Sequence, residues 1–336
     1  MSINFTRPDD RTIALLRKTG DPDVNVAAKA QHDFAKAFET PLRKAVLVGD
    51  TLNGIFEGIQ LEPGATTEYP LDLISPGMEG EHIAYTNPGH GRIPERAVES
   101  DYVAIPTYNI ASSIDWLLRY SQEAKWDVMA RAMEVMRAGF VKKINDDGWQ
   151  TILAAGVDRN LLVYDADATE GVFTKRLVSL LQNTMRRNSG GNSGSGGRGR
   201  LTDLYVSPEA LEDVRNWGMD QVDEVTRREI YKAEDNGAPI TSIFGVRLHD
   251  LDELGEGQEY QKFFEGQLGG AVQENDKELV VGLDLGSNDS FVMPIKQAVQ
   301  VFEDPTMHRQ QRVGYYGWTE VGFGVLDNRR VILGSF

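Results

Sequence analysis

The chain is predicted to fold as an α+β protein, on three observations. Helical and β-type segments are interleaved along its 336 residues without a repeated βαβ unit. One apolar stripe beginning near Ser112 runs to about Ala155, far beyond an ordinary helix. Two further stretches, 57–106 and 249–289, are acidic and rich in turn residues, so they read as solvated connections.

Residues 1–22 are polar and broken by Pro8 and Pro22, which predicts an extended or partly ordered arm. From Val24 to Val48 the pattern turns helical: Val26, Ala27, Ala30, Phe34, Ala37 and Phe38 recur at three- and four-residue spacing. Pro41 bends or ends that helix.

Residues 57–106 carry short β-type stretches, Glu68–Ile74, His82–Thr86 and Asp101–Ile105, divided by Pro63-Gly64, Pro76-Gly77 and Asn87-Pro88-Gly89. Nine acids face two arginines there. The expectation is a long, exposed β-hairpin, which has little stability by itself and must lie on another surface. That is the first sign of a protein that assembles.

Ser112-Ser113-Ile114-Asp115 has the spacing of a capping box and opens the long helical region. Leu117, Leu118, Ala124, Val128, Ala132, Val135, Met136 and Ile144 form its stripe. As one helix, Glu123–Ala155 would span roughly 50 Å. A helix over Phe173–Met185 follows, then the low-complexity loop 188–200, a strand over Leu201–Val206, a helix over Pro208–Trp217 and a strand pair or hairpin over Ile240–Leu248. Residues 249–289 hold eleven acids and two lysines, and the tail, Ala298–Phe302, Gln311–Phe323 and Val325–Leu333, is β.

Composition removes several function classes. With 35 Lys plus Arg against 51 Asp plus Glu, the formal charge is −16, unlike a protein whose main task is gripping nucleic acid. No cysteine is present, so disulfides, thiol catalysis and thiolate metal sites are out. No apolar run approaches the ~18 residues of a membrane span, and Met1–Phe5 lacks a signal-peptide layout, so the chain reads as cytosolic and soluble.

The chemical motifs are weak. Val280–Ser290 is similar to the first phosphate hairpin of the actin and sugar-kinase superfamily, where an aspartate, here Asp284, helps hold magnesium. Only 46 residues follow Ser290, too few for the rest of that site. The glycine–serine loop flanked by Arg186, Arg187, Arg198 and Arg200 has no P-loop arrangement. Residues 171–202 hold six basic residues and no acid. That reversal of sign reads either as contact with an acidic neighbour or nucleic-acid phosphates, or as a solvated loop. The five histidines are scattered, and His249 with Asp250, Asp252 and Glu253 is the nearest to a metal-friendly cluster. No catalytic residue, cofactor site or metal site is expected, and the chain is read as a non-enzyme.

Taken in order, these elements resemble a tailed-bacteriophage major capsid protein of the Hong Kong 97 fold. Glu81 through Glu95 looks like the returning half of that family's extended loop. Tyr102–Asp115 looks like the strand leading to its spine helix. Leu201–Leu211 is similar to its axial-domain strand and Ser-Pro-capped helix, and Arg312–Gly334 to its closing strands. The resemblance implies five parts: an N-terminal arm and helix (1–56), the extended hairpin loop (57–106), a peripheral domain with spine helix (107–160), an axial domain (161–293) and closing peripheral strands (294–336).

It also implies a subunit that builds pentamers and hexamers of an icosahedral head around double-stranded DNA held by non-specific contact, located in the virion and assembled in the bacterial cytoplasm. Its partners would be further copies, a portal, decoration proteins, and a separate scaffolding protein (or none), since only ~22 residues precede the first helix; no membrane is involved. Interface residues would be the hairpin acids Glu79, Glu81, Glu95, Glu99 and Asp101, set against basic patches on neighbours, and the loop arginines Arg186, Arg187, Arg198 and Arg200. The hairpin contains no lysine, so the Lys–Asn crosslink of some relatives is not expected. An encapsulin-type shell and an actin-like ATPase are the alternatives.

Overall fold

The computed structural model describes residues 9–47, 52, 54–62, 64–70, 102–188, 199–217, 241–274, 276–286 and 290–336. In chain order the first elements are α1 (Asp10–Thr19), α2 (Val24–Leu47), β1 (Glu57–Gln60), β2 (Glu68–Pro70), β3 (Tyr102–Ala104), β4 (Tyr108–Leu117), α3 (Leu118–Gln122) and α4 (Trp126–Asp158). The middle holds β5 (Leu162–Tyr164), α5 (Lys175–Asn188), β6 (Asp203–Val206), α6 (Pro208–Asn216), β7 (Thr241–Ile243), β8 (Val246–Asp250) and α7 (Glu259–Gly266). The chain closes with β9 (Leu279–Leu283), β10 (Phe291–Asp304), β11 (Arg312–Val321), β12 (Gly324–Val325) and β13 (Val331–Ser335). Two compact units form: Met1–Thr67, Ala104–Gly148 and Val292–Gly324 make one, Glu68–Val103, Trp149–Phe291 and Val325–Phe336 the other.

In the first unit, a sheet of order β1-β10-β11-β4 is covered by helices. The predicted capping box at Ser112 is overturned. Tyr108–Leu117 pairs along its whole length with β11, from Tyr108 opposite Val321 to Leu117 opposite Arg312. Its alternation decides this, because Ile110, Ile114 and Trp116 are buried while Ala111 and Ser113 are exposed, a period of two. Helix begins only at Leu118, and the long helix is Trp126–Asp158, 33 residues. Met129, Met133, Met136, Phe140 and Ile144 are its buried stripe in this unit, whereas Val128 and Val135, expected within it, are exposed. Gly317 on β11 permits the approach of that stripe: a Cβ there would stand 2.9 Å from Met136 Cε and 2.9 Å from the Gln300 carbonyl oxygen. Phe34 of α2 packs edge-on to Trp116 at 6.3 Å and against Tyr315 at 5.4 Å.

The arm expected over 1–22 is also corrected, since Asp10–Thr19 is helical. Asp9 caps it by accepting from the Thr12 amide at 2.9 Å, and Leu16 is buried. Gln31 of α2 donates to the Thr19 carbonyl at 3.1 Å, which ties the two helices. Pro8 and Pro22 thus bracket a helix. Pro41 lies inside α2 and does not end it. Residues 57–60 belong to β1, which runs parallel to β10, rather than to the hairpin. β2 and β3 pair as a two-stranded sheet, and the rest of the expected hairpin, residues 71–101, lies outside the described residues.

The second unit is a six-stranded sheet of order β5-β13-β9-β6-β8-β7. β6, β9 and β13 are buried along their lengths. Leu177, Val178, Leu181 and Met185 of α5 join Ala210 and Val214 of α6 in its core, with Phe336 stacked edge-on to Phe173 at 5.3 Å. Trp149, fully buried, packs on Tyr205 at 4.7 Å and on Tyr260 at 6.1 Å. The solvated reading of 249–289 fails here: Leu251 and Leu254 after β8, Tyr260 and Phe264 on α7, and all of β9 are buried. Nor do residues 294–336 form a single set of closing strands, because β13 lies between β5 and β9 in this second sheet. The predicted strand pair at 240–248 is a hairpin, with Phe244 and Gly245 at φ 54° and 77°, the left-handed pair a tight two-residue turn requires.

Candidate functional site

The charged groups expected at interfaces fall into three places. Glu79, Glu81, Glu95, Glu99, Asp101 and Arg198 lie outside the described residues. Arg186 and Arg187 stand exposed on the last turn of α5, beyond the buried Met185, where cations also complement the helix dipole. Arg200 is exposed at its side chain, while its backbone amide donates to Asp284 at 2.9 Å.

Asp284 is therefore not a free ligand. Its carboxylate is 1% exposed and accepts from Arg330, from the Arg200 amide, and from the Gly286 amide at 3.0 Å. The residue that the phosphate-hairpin likeness would assign to magnesium is committed to closing the end of β9 against the turn before β13. Arg159 strengthens the same corner by donating to the Val331 carbonyl at 2.9 Å.

A second buried carboxylate is absent from any motif. Asp203 on β6 accepts from His249 Nε2 at 2.7 Å and from Arg247 at 2.9 Å on each oxygen. Burial alone would raise its pKa, but hydrogen bonds from His249, Thr202 and Arg247, with the guanidinium charge, hold it below the ordinary carboxylate range. The His249 ring lies stacked on Tyr205 at 4.8 Å. His249, the nearest in the sequence to a metal-friendly cluster, instead forms part of an anchor between β6 and β8. Among the described residues no group of three His, Asp or Glu could hold a metal ion. No helix among them is long and apolar enough to cross a membrane.

The third feature was hidden by the expected arm. α1 and α2 enclose a cleft of about 560 Å3, lined by Arg11, Leu15 and Lys18 from one helix and Asp33, Lys36 and Thr40 from the other. Arg11, Lys18, Asp33 and Lys36 are all exposed. The signal available in the sequence was the seven-residue spacing of Arg11 and Lys18, two turns of one helical face.

No family model matches the chain, and no curated protein is similar to it in sequence. Solved structures are similar in fold. The capsid of the cyanophage P-SCSP1u is 13% identical, with 84% of this chain and 86% of that one covered and a TM-score of 0.54. The head of the Helicobacter pylori bacteriophage KHP40 is 9% identical, covering 86% of this chain and 91% of its own, also at 0.54. The capsid of the Myoviridae phage XM1 is 13% identical over 84% and 90%, at 0.51. Matched over 84–86% of its length rather than through a short fragment, the chain has the capsid-shell fold of tailed-bacteriophage heads, the Hong Kong 97 fold.

Proposed function

We propose that the chain is the major capsid protein of a tailed bacteriophage, which self-assembles as pentamers and hexamers into an icosahedral head enclosing double-stranded DNA. The observation that carries this reading is the likeness in fold to phage capsids over most of the chain, with 84–86% of this chain and 86–91% of theirs covered. The chemistry agrees with it. The buried polar side chains described above are spent on holding strands together, which suits a structural subunit more than an enzyme.

In this reading the five parts assigned from sequence meet neighbouring copies, and the hairpin acids Glu79, Glu81, Glu95, Glu99 and Asp101 face cations on adjacent subunits. Charge pairs of that kind set register and salt sensitivity more than affinity. A portal, decoration proteins and a separate scaffolding protein are its other partners, and the finished shell is part of the virion. The test is negative-stain microscopy of the purified chain, with size exclusion at low and high salt. Round shells or rings that come apart in salt are the expected result. A chain that stays monomeric when concentrated, with and without a co-expressed scaffolding protein, defeats the reading. Shells that copurify with an enzyme cargo would favour the encapsulin alternative.

A further inference from the structure

The cleft between α1 and α2 is left unused by everything above, and its charge runs against that of the chain. Three cations, Arg11, Lys18 and Lys36, face one acid, Asp33, in a protein whose formal charge is −16. Arg11 lies close enough to Asp9 to lower that carboxylate's pKa slightly, behind the larger effect of the Thr12 hydrogen bonds. Lys18 and Lys36 form no ion pair among the described residues. Unpaired cations gathered in a concave place leave a site of positive potential open to an anion.

The kind of anion follows from the walls. Both are helices, whose backbone donors and acceptors are spent within the helices, so an extended peptide finds no strand edge to pair with. What remains is point charge on long, flexible stems, with the Thr40 hydroxyl beside it. Those groups fit phosphates read without regard to sequence. Arg11 and Lys18 are two turns apart, about 10 Å along α1, or roughly three phosphate steps of a DNA strand.

We infer that the α1–α2 cleft is a docking site for the phosphate backbone of double-stranded DNA, with Lys18 and Lys36 as its principal contacts. The inference rests on the shell reading for the identity of the polyanion, and it names where an otherwise acidic subunit touches its contents. Contacts this few give weak binding, which suits a wall that must hold DNA without trapping it.

The test titrates the full chain, from about 1 to about 100 μM to match weak non-specific binding, into a fluorescent random-sequence 25-base-pair duplex between 50 and 200 mM salt. Each phosphate contact contributes about 0.9 to the slope of log affinity against log salt. Lys18→Gln/Lys36→Gln should therefore flatten the slope by about 1.8, so that the parent loses about twelvefold more affinity than the variant over that range. Arg186→Gln/Arg187→Gln serves as the control and should change the slope less. Matching thermal melts exclude a folding defect, since all four side chains are exposed. An unchanged slope in the cleft variant overturns the inference. So does a parent that ignores the duplex at 50 mM salt, and binding of a polyglutamate peptide through the same lysines would then assign the cleft to an acidic protein instead. Microscopy reports shell formation separately, so shells with an unchanged slope refute the cleft alone, and a flattened slope with no shells, with and without a co-expressed scaffolding protein, refutes the shell reading alone.

Discussion

Asp203 and Arg247 stand opposite each other on the parallel strands β6 and β8, and their side chains meet twice, Nε on Oδ1 and Nη2 on Oδ2, each at 2.9 Å. The carboxylate is 2% exposed and the guanidinium about half exposed. Asp203→Asn removes a buried charge that three groups converge on, and should destabilise the chain by about 2 kcal/mol, below the usual value for a buried pair because Arg247 regains water. The pH dependence has a defined sign. A carboxylate whose folded pKa is depressed contributes stability above its unfolded value, near 3.8, and loses it as pH falls through the folded one. Thermal melts from pH 7 downward should show the gap between parent and variant closing only in that acid range.

Glu278 is the opposite case. Burial raises its pKa, the Ser207 hydroxyl opposes that by donating to it, and Glu209, Asp213 and Glu256 raise it further. Its proton is bound more tightly in the folded state, so stability falls as pH rises from about 4.5 through the folded pKa. Glu278→Gln, which still accepts from Ser207, should melt at a higher temperature than the parent at pH 7. The difference should vanish below about pH 4.5. A variant that melts lower at pH 7 would contradict this assignment.

At Asp284 the structure separates two roles. Asp284→Ala strands Arg330, whose side chain is 13% exposed, together with the amides of Arg200 and Gly286. A loss of about 3 kcal/mol in urea-induced unfolding is expected. Calorimetric titration with magnesium-ATP should give no heat of binding in either protein. Saturable binding by the parent that the substitution abolishes would return the phosphate-hairpin reading to contention.

Gly317→Val places side-chain atoms against the Gln300 carbonyl and Met136, both within 2.9 Å of the first added carbon. The carbonyl belongs to the paired strand β10 and has little freedom to retreat. Overpacking of this kind should lower stability by about 1–3 kcal/mol. Measured against Gly266→Ala, where a Cβ meets nothing within 4 Å, the difference isolates the steric contribution.

Much of this fold is legible in the sequence where local chemistry and tertiary packing agree. Ser207-Pro208 marks the start of α6 because the serine hydroxyl caps it, accepting from the Ala210 amide at 3.2 Å, and proline fits the first turn. Phe34 and Phe38 reveal the buried face of α2 because helical period and burial coincide. Ser112 misleads because serine three residues before an acid suits a helix start as well as a strand with a polar outer face. The deciding partner, Gly317, lies about 200 residues away. Counting acids over 249–289 misleads differently, since it overlooks Tyr260 and Phe264, one helical turn apart and both buried. Of the candidate site, the α5 arginines are found by composition alone. The anchor of Asp203, Arg247 and His249 is not, because it exists only once two strands lie in parallel register.

The position of β13 bears on what a shortened copy of this protein would expose. Its five residues sit between β5 and β9, and Leu333 pairs with Leu162 across roughly 170 residues of chain. Without residues 331–335 the second sheet would be split at that seam, with β5 left without a strand partner and one side of β9 uncovered. Exposed strand edges invite pairing with other chains. A copy that lacks residues 331–335 therefore leaves the paired edges of β5 and β9 open to other chains, a liability that a single five-residue strand removes.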